Sequence, residues 1–221
     1  MSKIDRRQAL AAFGTVSLAA LLAGCGDERT TTTPTTTPAA TGFDDSSSCT
    51  LTPEMTEGPY YFDADSIRSD IRDDREGTEL RLAIRVRDSD CNPLPDAVVD
   101  IWHCDALGEY STADDPFLRG AQVTNRDGIV EFTTIYPGWY QGRTVHIHAK
   151  VHLDTSTVLT TQLYFGDDVT AAVYERDPYS RHTGREVLNT DDGIFDEALL
   201  LGLARAGDAY DATISFDVAA A

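Results

Sequence analysis

The chain is poor in lysine. Only Lys3 and Lys150 occur among its 221 residues, and 18 basic residues in all stand against 37 Asp plus Glu, for a formal charge of −19. A phosphate backbone needs a basic surface to displace its counterions, so nucleic acid is excluded as a partner. Cysteine is sparse, at four residues, and no pair has the short spacing of a structural zinc site. The longest uncharged, largely apolar stretch, Gln8 to Gly24, falls short of the ~20 residues that span a bilayer. What remains is a chain with 41% hydrophobic and 9% aromatic residues, enough for a core, and of a length that suits one folded domain.

The N-terminus reads as an address. Arg6 and Arg7 precede the apolar stretch, which runs into Leu22-Ala23-Gly24-Cys25. This resembles a lipoprotein export signal of twin-arginine type, although Asp5 and Ala9 depart from its favoured flanks. The resemblance implies that residues 1–24 are removed, that Cys25 is lipidated, and that the mature protein is extracytoplasmic and touches the membrane only through its lipid. Cleavage removes Lys3, Asp5, Arg6 and Arg7 and takes the formal charge from −19 to −21. Residues 25–48, centred on Thr30–Thr33, Pro34, Thr35–Thr37 and Pro38, have little to bury and read as an extended tether. The folded domain is expected over 49–221. A disulfide is allowed in that compartment. Cys91 and Cys104 are expected at opposite ends of a strand, too far apart to pair, so Cys49 with either one stays open.

The domain is written in alternation. Leu80, Leu82, Ile84 and Val86 alternate with Arg81, Ala83, Arg85 and Arg87, the period of a strand with one buried face. The same pattern recurs at Ala97–Ile101, at Val130–Thr134 after the Asn125-Arg126-Asp127-Gly128 turn, at Val145–Leu153 and at Tyr210–Val218. Phe195–Ala206 reads as a short helix, and Asp63–Asp74 as a solvated loop. Together these predict an all-β, antiparallel β-sandwich with long loops and at most one or two short helices.

On the strand Val145–Leu153 the apolar residues hold the odd positions, so His146 and His148 share the other face. Residues two apart on a strand lie ~7 Å apart and point the same way, which lets two rings converge on one ion. Isolated, such a pair is an exposed polar face. Here it neighbours tyrosines in Gly- and Pro-rich loops, within Trp102–Tyr110 and Tyr136–Arg143. Phenolate is a hard donor that ferric iron keeps ionised, and two phenolates offset two of its three charges.

Thr52–Tyr61, Asp100–Ser111, Thr134–Tyr140, Arg143–His148 and Thr161–Phe165 occur in order. This series resembles the intradiol ring-cleavage dioxygenases, the family of protocatechuate and catechol dioxygenases. The resemblance implies one non-haem ferric ion per chain, held by Tyr110, Tyr140, His146 and His148. It also implies that Tyr140 leaves the metal when substrate binds and serves as a base, that Arg143 lies beside the bound catecholate, and that Tyr60 and Gln162 line the substrate pocket. Tyr136 sits where some relatives differ, and its role is open. The implied reaction joins a small aromatic diol with O2 and cuts the ring between its hydroxylated carbons to a muconate-type diacid. The helical N-terminal region of the catechol enzymes is missing and the Tyr140–His146 loop is shorter than in the protocatechuate enzymes, which leaves substrate identity and homo-oligomer formation open. The Asp88–Trp102 segment, the Asp127-Gly128 turn and Tyr136-Pro137-Gly138 also resemble a non-catalytic, transthyretin-like binding module. That alternative gives His146, His148 and Arg143 no task.

Overall fold

The computed structural model describes residues 42–43, 49–154 and 156–219. The expected signal, the lipidation site Cys25 and all of the tether but Gly42 and Phe43 lie outside the described residues.

Among the described residues, eight strands form two four-stranded sheets. The first contains β1 (Glu79–Asp88), β4 (Ile129–Ile135), β7 (Gly202–Ala206) and β8 (Ala209–Val218) in the order β4-β1-β8-β7. The second contains β2 (Val98–Trp102), β3 (Arg119–Val123), β5 (His146–Leu153) and β6 (Ser156–Tyr164) in the order β3-β2-β5-β6. Leu80, Leu82, Ile84 and Val86 of β1, with Ile147, Ala149 and Val151 of β5, are fully buried in one apolar core. The all-β sandwich expected from the alternation is the architecture found.

Three expectations need correction. The sheets are not wholly antiparallel, because β1 pairs with β8 in parallel, Leu80 opposite Tyr210 through Asp88 opposite Val218. The register explains the arginines between the core residues of β1. Arg81 meets Asp211 at 2.6 Å, Arg85 Nε donates to Ser215 Oγ at 3.2 Å, and Arg87 meets Asp217 at 2.7 Å. These cross-strand pairs line the face turned away from the core.

Phe195–Ala206 is not a helix. It holds a 3-10 turn, Glu197–Leu199, and then β7, which pairs antiparallel with β8. Ladder bonds to β8 outweigh the helix propensity of Ala and Leu here. The one α-helix among the described residues, α1, is Asp167–Tyr174.

Asp63–Asp74 is not simply solvated. Ile71 is fully buried in the core, and isolated bridges join Ile67 to Ala121 and Asp70 to Thr133. Cys49 bonds to Cys91, which sits in a turn with φ of 68°, and Cys104 is a buried free thiol.

Candidate functional site

The outer face of the second sheet carries the site. Antiparallel register sets Trp102 of β2 opposite His148 of β5, with Gln162 of β6 on its other side. One step along, His146 faces Tyr164. Even-numbered residues of β5 point away from the core, yet both histidines are buried, because segments from other parts of the chain cover them. The segment before β1 is tied down by Met55 N to Thr160 O at 2.8 Å and by Gln162 Nε2 to Thr56 O at 2.9 Å.

Two loops bring in the tyrosines, and glycine lets them meet. Gly108 has φ of 86°, and a Cβ there would lie 2.2 Å from the Trp139 carbonyl oxygen. A Cβ on Gly138 would lie 2.4 Å from the Asp105 carbonyl oxygen, which instead accepts from Gly138 N at 2.9 Å. The Gly-x-Tyr and Pro-Gly-x-Tyr motifs therefore dock two loops backbone against backbone, so that the Tyr110 and Tyr140 rings approach edge to face at 5.6 Å.

The donor atoms converge. His146 Nδ1 lies 2.7 Å from the Thr144 carbonyl oxygen, which can only accept, so Nδ1 carries the proton and Nε2 is bare. Tyr140 Oη and His148 Nε2 each lie 3.1 Å from that nitrogen. The Tyr110 hydroxyl and His148 Nδ1 are buried with no hydrogen-bond partner. Buried polar atoms are rarely left so, and a phenol oxygen without a partner beside two converging imidazoles has the character of a ligand set. Among the described residues, no group of three or more His, Cys, Asp or Glu can hold a metal, so an ion here must draw on phenol oxygen. Two imidazoles and two phenols fit ferric iron better than zinc or copper.

Burial also sets the charge states of these groups. Burial drives His146 down to about 3, aided by the nearby Arg143, and pushes His148 well below its usual range. Both rings are neutral at physiological pH and keep a lone pair to donate. Burial also raises Tyr110 and Tyr140, so neither ionises readily unless a cation compensates.

Tyr60 stacks on Tyr110 with centroids 4.1 Å apart and planes 9° apart, and meets Tyr140 edge-on at 6.1 Å. It is 41% exposed, at the outer rim of the cluster. Arg143 Nη2 donates to Gln162 Oε1 at 2.6 Å, so those two expected pocket residues are joined directly. Tyr60, Tyr110, Tyr140, His146 and His148 thus meet in one aromatic cluster, with Arg143 and Gln162 as a hydrogen-bonded pair next to it. Tyr136 is elsewhere. It is buried in the core and donates its hydroxyl to Thr170 Oγ1 at 2.7 Å.

Three supporting residues escaped the sequence reading. Trp102 lies parallel to His148, 4.9 Å away. Arg119, 2% exposed, bonds Ser111 Oγ and the carbonyls of Tyr60 and Phe62, which pins the Tyr60 segment. Asp192 pairs with Arg143 Nε at 2.8 Å. Burial favours its neutral form, but the amides of Thr144 and Ile194 and the Arg143 guanidinium outweigh that and hold its carboxyl below the usual range. A strand register would have found Trp102. Asp192 and Arg119 carry no local signal.

A family model described as Dioxygenase matches residues 52–181, more than half of the chain. The chain belongs to the intradiol ring-cleavage dioxygenase family. Within that family it is 33% identical over 122 residues to a chlorocatechol 1,2-dioxygenase of Rhodococcus opacus, a match covering 44% of this chain and 48% of the relative. The chain spans about half the length of the first curated relatives it matches. An intradiol ring-cleavage dioxygenase from Tetranychus urticae superposes with a TM-score of 0.74 at 32% identity, over 77% of this chain and 95% of that one. The dioxygenase domain of a carbohydrate-binding fusion protein from Streptomyces sp. SirexAA-E superposes at 0.63 with 35% identity, over 78% and 100%.

Proposed function

We propose that this protein is a non-haem ferric dioxygenase that cleaves a small catechol-type ring between its two hydroxylated carbons, adding both atoms of O2 to give a muconate-type diacid. The observation that carries the reading is the convergence of Tyr140 Oη and His148 Nε2 on His146 Nε2, each at 3.1 Å, beside the unpartnered Tyr110 hydroxyl. Tyr110, Tyr140, His146 and His148 would hold the ion. When bound, ferric iron supplies a Lewis acid that accepts the catecholate oxygens and renders the ring reactive toward O2.

This chain's residues do the rest. The Thr144 carbonyl fixes the His146 tautomer so that Nε2 stays a donor. Tyr140, whose Oη lies 3.1 Å from His146 Nε2, would take a proton from an incoming catechol hydroxyl. Arg143 provides fixed N–H donors where negative charge grows on the ring. Gln162, bonded to both Arg143 and the Thr56 carbonyl, holds the guanidinium against the segment that leads to Tyr60. Trp102 backs the His148 ring and Tyr60 stacks on the Tyr110 ring. A non-catalytic binding module would have no use for buried imidazoles aimed at one point.

The Leu-Ala-Gly-Cys stretch behind Arg6 and Arg7 supports a further part of this reading, export and lipid anchoring at Cys25. Cell fractionation tests it: Cys25→Ser is expected to shift the protein from membrane to soluble material, and two cytoplasmic proteins would contradict the address.

Oxygen uptake on a panel of catechols, with the product identified by mass, tests the activity. One O2 consumed per ring and a diacid heavier than substrate by two oxygen atoms is the expected result. Binding of catechols without oxygen consumption in iron-loaded protein would contradict it.

A further inference from the structure

Ring cleavage itself calls for no carboxylate, yet one is buried next to the arginine. The Asp192 side chain is 2% exposed. Its Oδ2 accepts from Arg143 Nε at 2.8 Å and from Thr144 N at 2.9 Å, and its Oδ1 accepts from Ile194 N at 3.1 Å. The carboxylate is thus held by backbone and has little freedom of its own. Just before it, Asn189 Oδ1 accepts from the Thr144 hydroxyl at 2.7 Å, which clamps the same short stretch against β5.

Arg143 is gripped at two nitrogens. Nε meets Asp192, and Nη2 meets Gln162 Oε1 at 2.6 Å. Anchors at two nitrogens of the planar fork leave the guanidinium essentially one orientation. The guanidinium N–H groups that these two contacts leave over are set in place before substrate arrives.

We propose that Asp192 is the positioning residue for Arg143. It fixes the guanidinium at Nε while Gln162 holds Nη2, and it balances the charge, so that the remaining N–H groups act as directed donors to the catecholate. This rests on the reading of Arg143 given above. The competing role is purely structural: Asp192 would clip the Thr144 amide and so hold the start of β5, two residues before His146.

Asp192→Asn separates the two, since it keeps the shape and an acceptor oxygen while removing the charge. Iron-loaded wild type, Asp192→Asn, Arg143→Ala and the double variant are compared by turnover, iron content, visible spectrum and Tm. Asp192→Asn is expected to keep iron and colour while Tm falls, because the charge and one of the two accepting oxygens are lost. Its kcat is expected to fall about 10- to 100-fold with KM little changed, as for a misplaced transition-state group. The double variant is expected to be no slower than Arg143→Ala alone, because the two residues act as a unit. In metal-free protein, the Arg143 Nε–H resonance is expected to exchange slowly in wild type and quickly in Asp192→Asn.

Unchanged kcat, losses that multiply in the double variant, or loss of iron with Asp192→Asn would overturn the proposal. An inactive wild type would instead defeat the dioxygenase reading, and the metal-free resonance would still decide whether Asp192 fixes Arg143.

Discussion

The indole of Trp102 lies parallel to the imidazole of His148, with ring centroids 4.9 Å apart and 6° between their planes. Strand register makes them neighbours, since Trp102 is directly opposite His148 across β2 and β5. Tyr61 packs on the indole as well, at 4.8 Å. Trp102→Leu is therefore expected to free the His148 ring and to lower stability by roughly 2–4 kcal/mol, near the range for truncated buried aromatics. Iron retained after dialysis against a weak chelator should drop with it, whereas Trp102→Phe should keep most of both. Retention equal to wild type in Trp102→Leu would show that the indole does not orient His148.

Arg143→Ala is expected to keep iron and visible colour while turnover on a cleaved catechol falls ~10²–10³-fold, the usual loss for one preorganised donor. Steady-state kinetics alongside metal analysis checks this. Lower Tm with unchanged turnover would reduce Arg143 to the partner of Asp192 in an ion pair.

Stability should depend on pH through His103, a fully buried ring whose Nδ1 donates to the Cys104 carbonyl and whose Nε2 accepts from Thr134 Oγ1, each at 2.7 Å. Burial lowers it from 6.5 to about 4. Its folded value lies below its unfolded value, so the unfolded chain takes up the proton first. The contribution is complete above about pH 6.5, is lost as pH falls toward about 4, and amounts to roughly 3 kcal/mol in all. Urea melts between pH 7 and 4 should show a slope shallower by about one proton in His103→Asn, whatever its absolute stability. Equal slopes would mean that His103 is protonated inside the fold.

Cys49 and Cys91 are 42 residues apart in sequence, and a crosslink closing such a loop stabilises by about 4 kcal/mol on the chain-entropy account. Cys49→Ser should lower the urea midpoint accordingly while iron binding persists, since neither sulfur belongs to the site. The same midpoint with and without reductant in wild type would contradict the pairing.

Much of this molecule is legible in its sequence, for physical reasons that also mark the limits. One-sided burial imposes a period of two, so β1, β4, β5 and β8 can be read from their alternation, as can the shared face of His146 and His148. The parallel pairing of β1 with β8 cannot, because alternation records which face is buried and not which strand lies alongside. Nor can the strand Gly202–Ala206, whose apolar residues suit a helix until the partner across the Gly207 turn is known. Gly-x-Tyr and Pro-Gly-x-Tyr are visible because a close backbone approach requires glycine. Asp192 is not visible. In a chain with 37 acidic residues, only the fold distinguishes the one that is buried against an arginine 49 positions earlier.

The most direct test of the account is the iron content and visible spectrum of purified wild type beside a His146→Ala, His148→Ala double variant. About one ferric ion per chain and a strong phenolate-to-iron absorption in wild type, both lost in the variant, are the predicted results. A double variant that keeps full iron occupancy and its colour would contradict the assignment of the metal to this cluster.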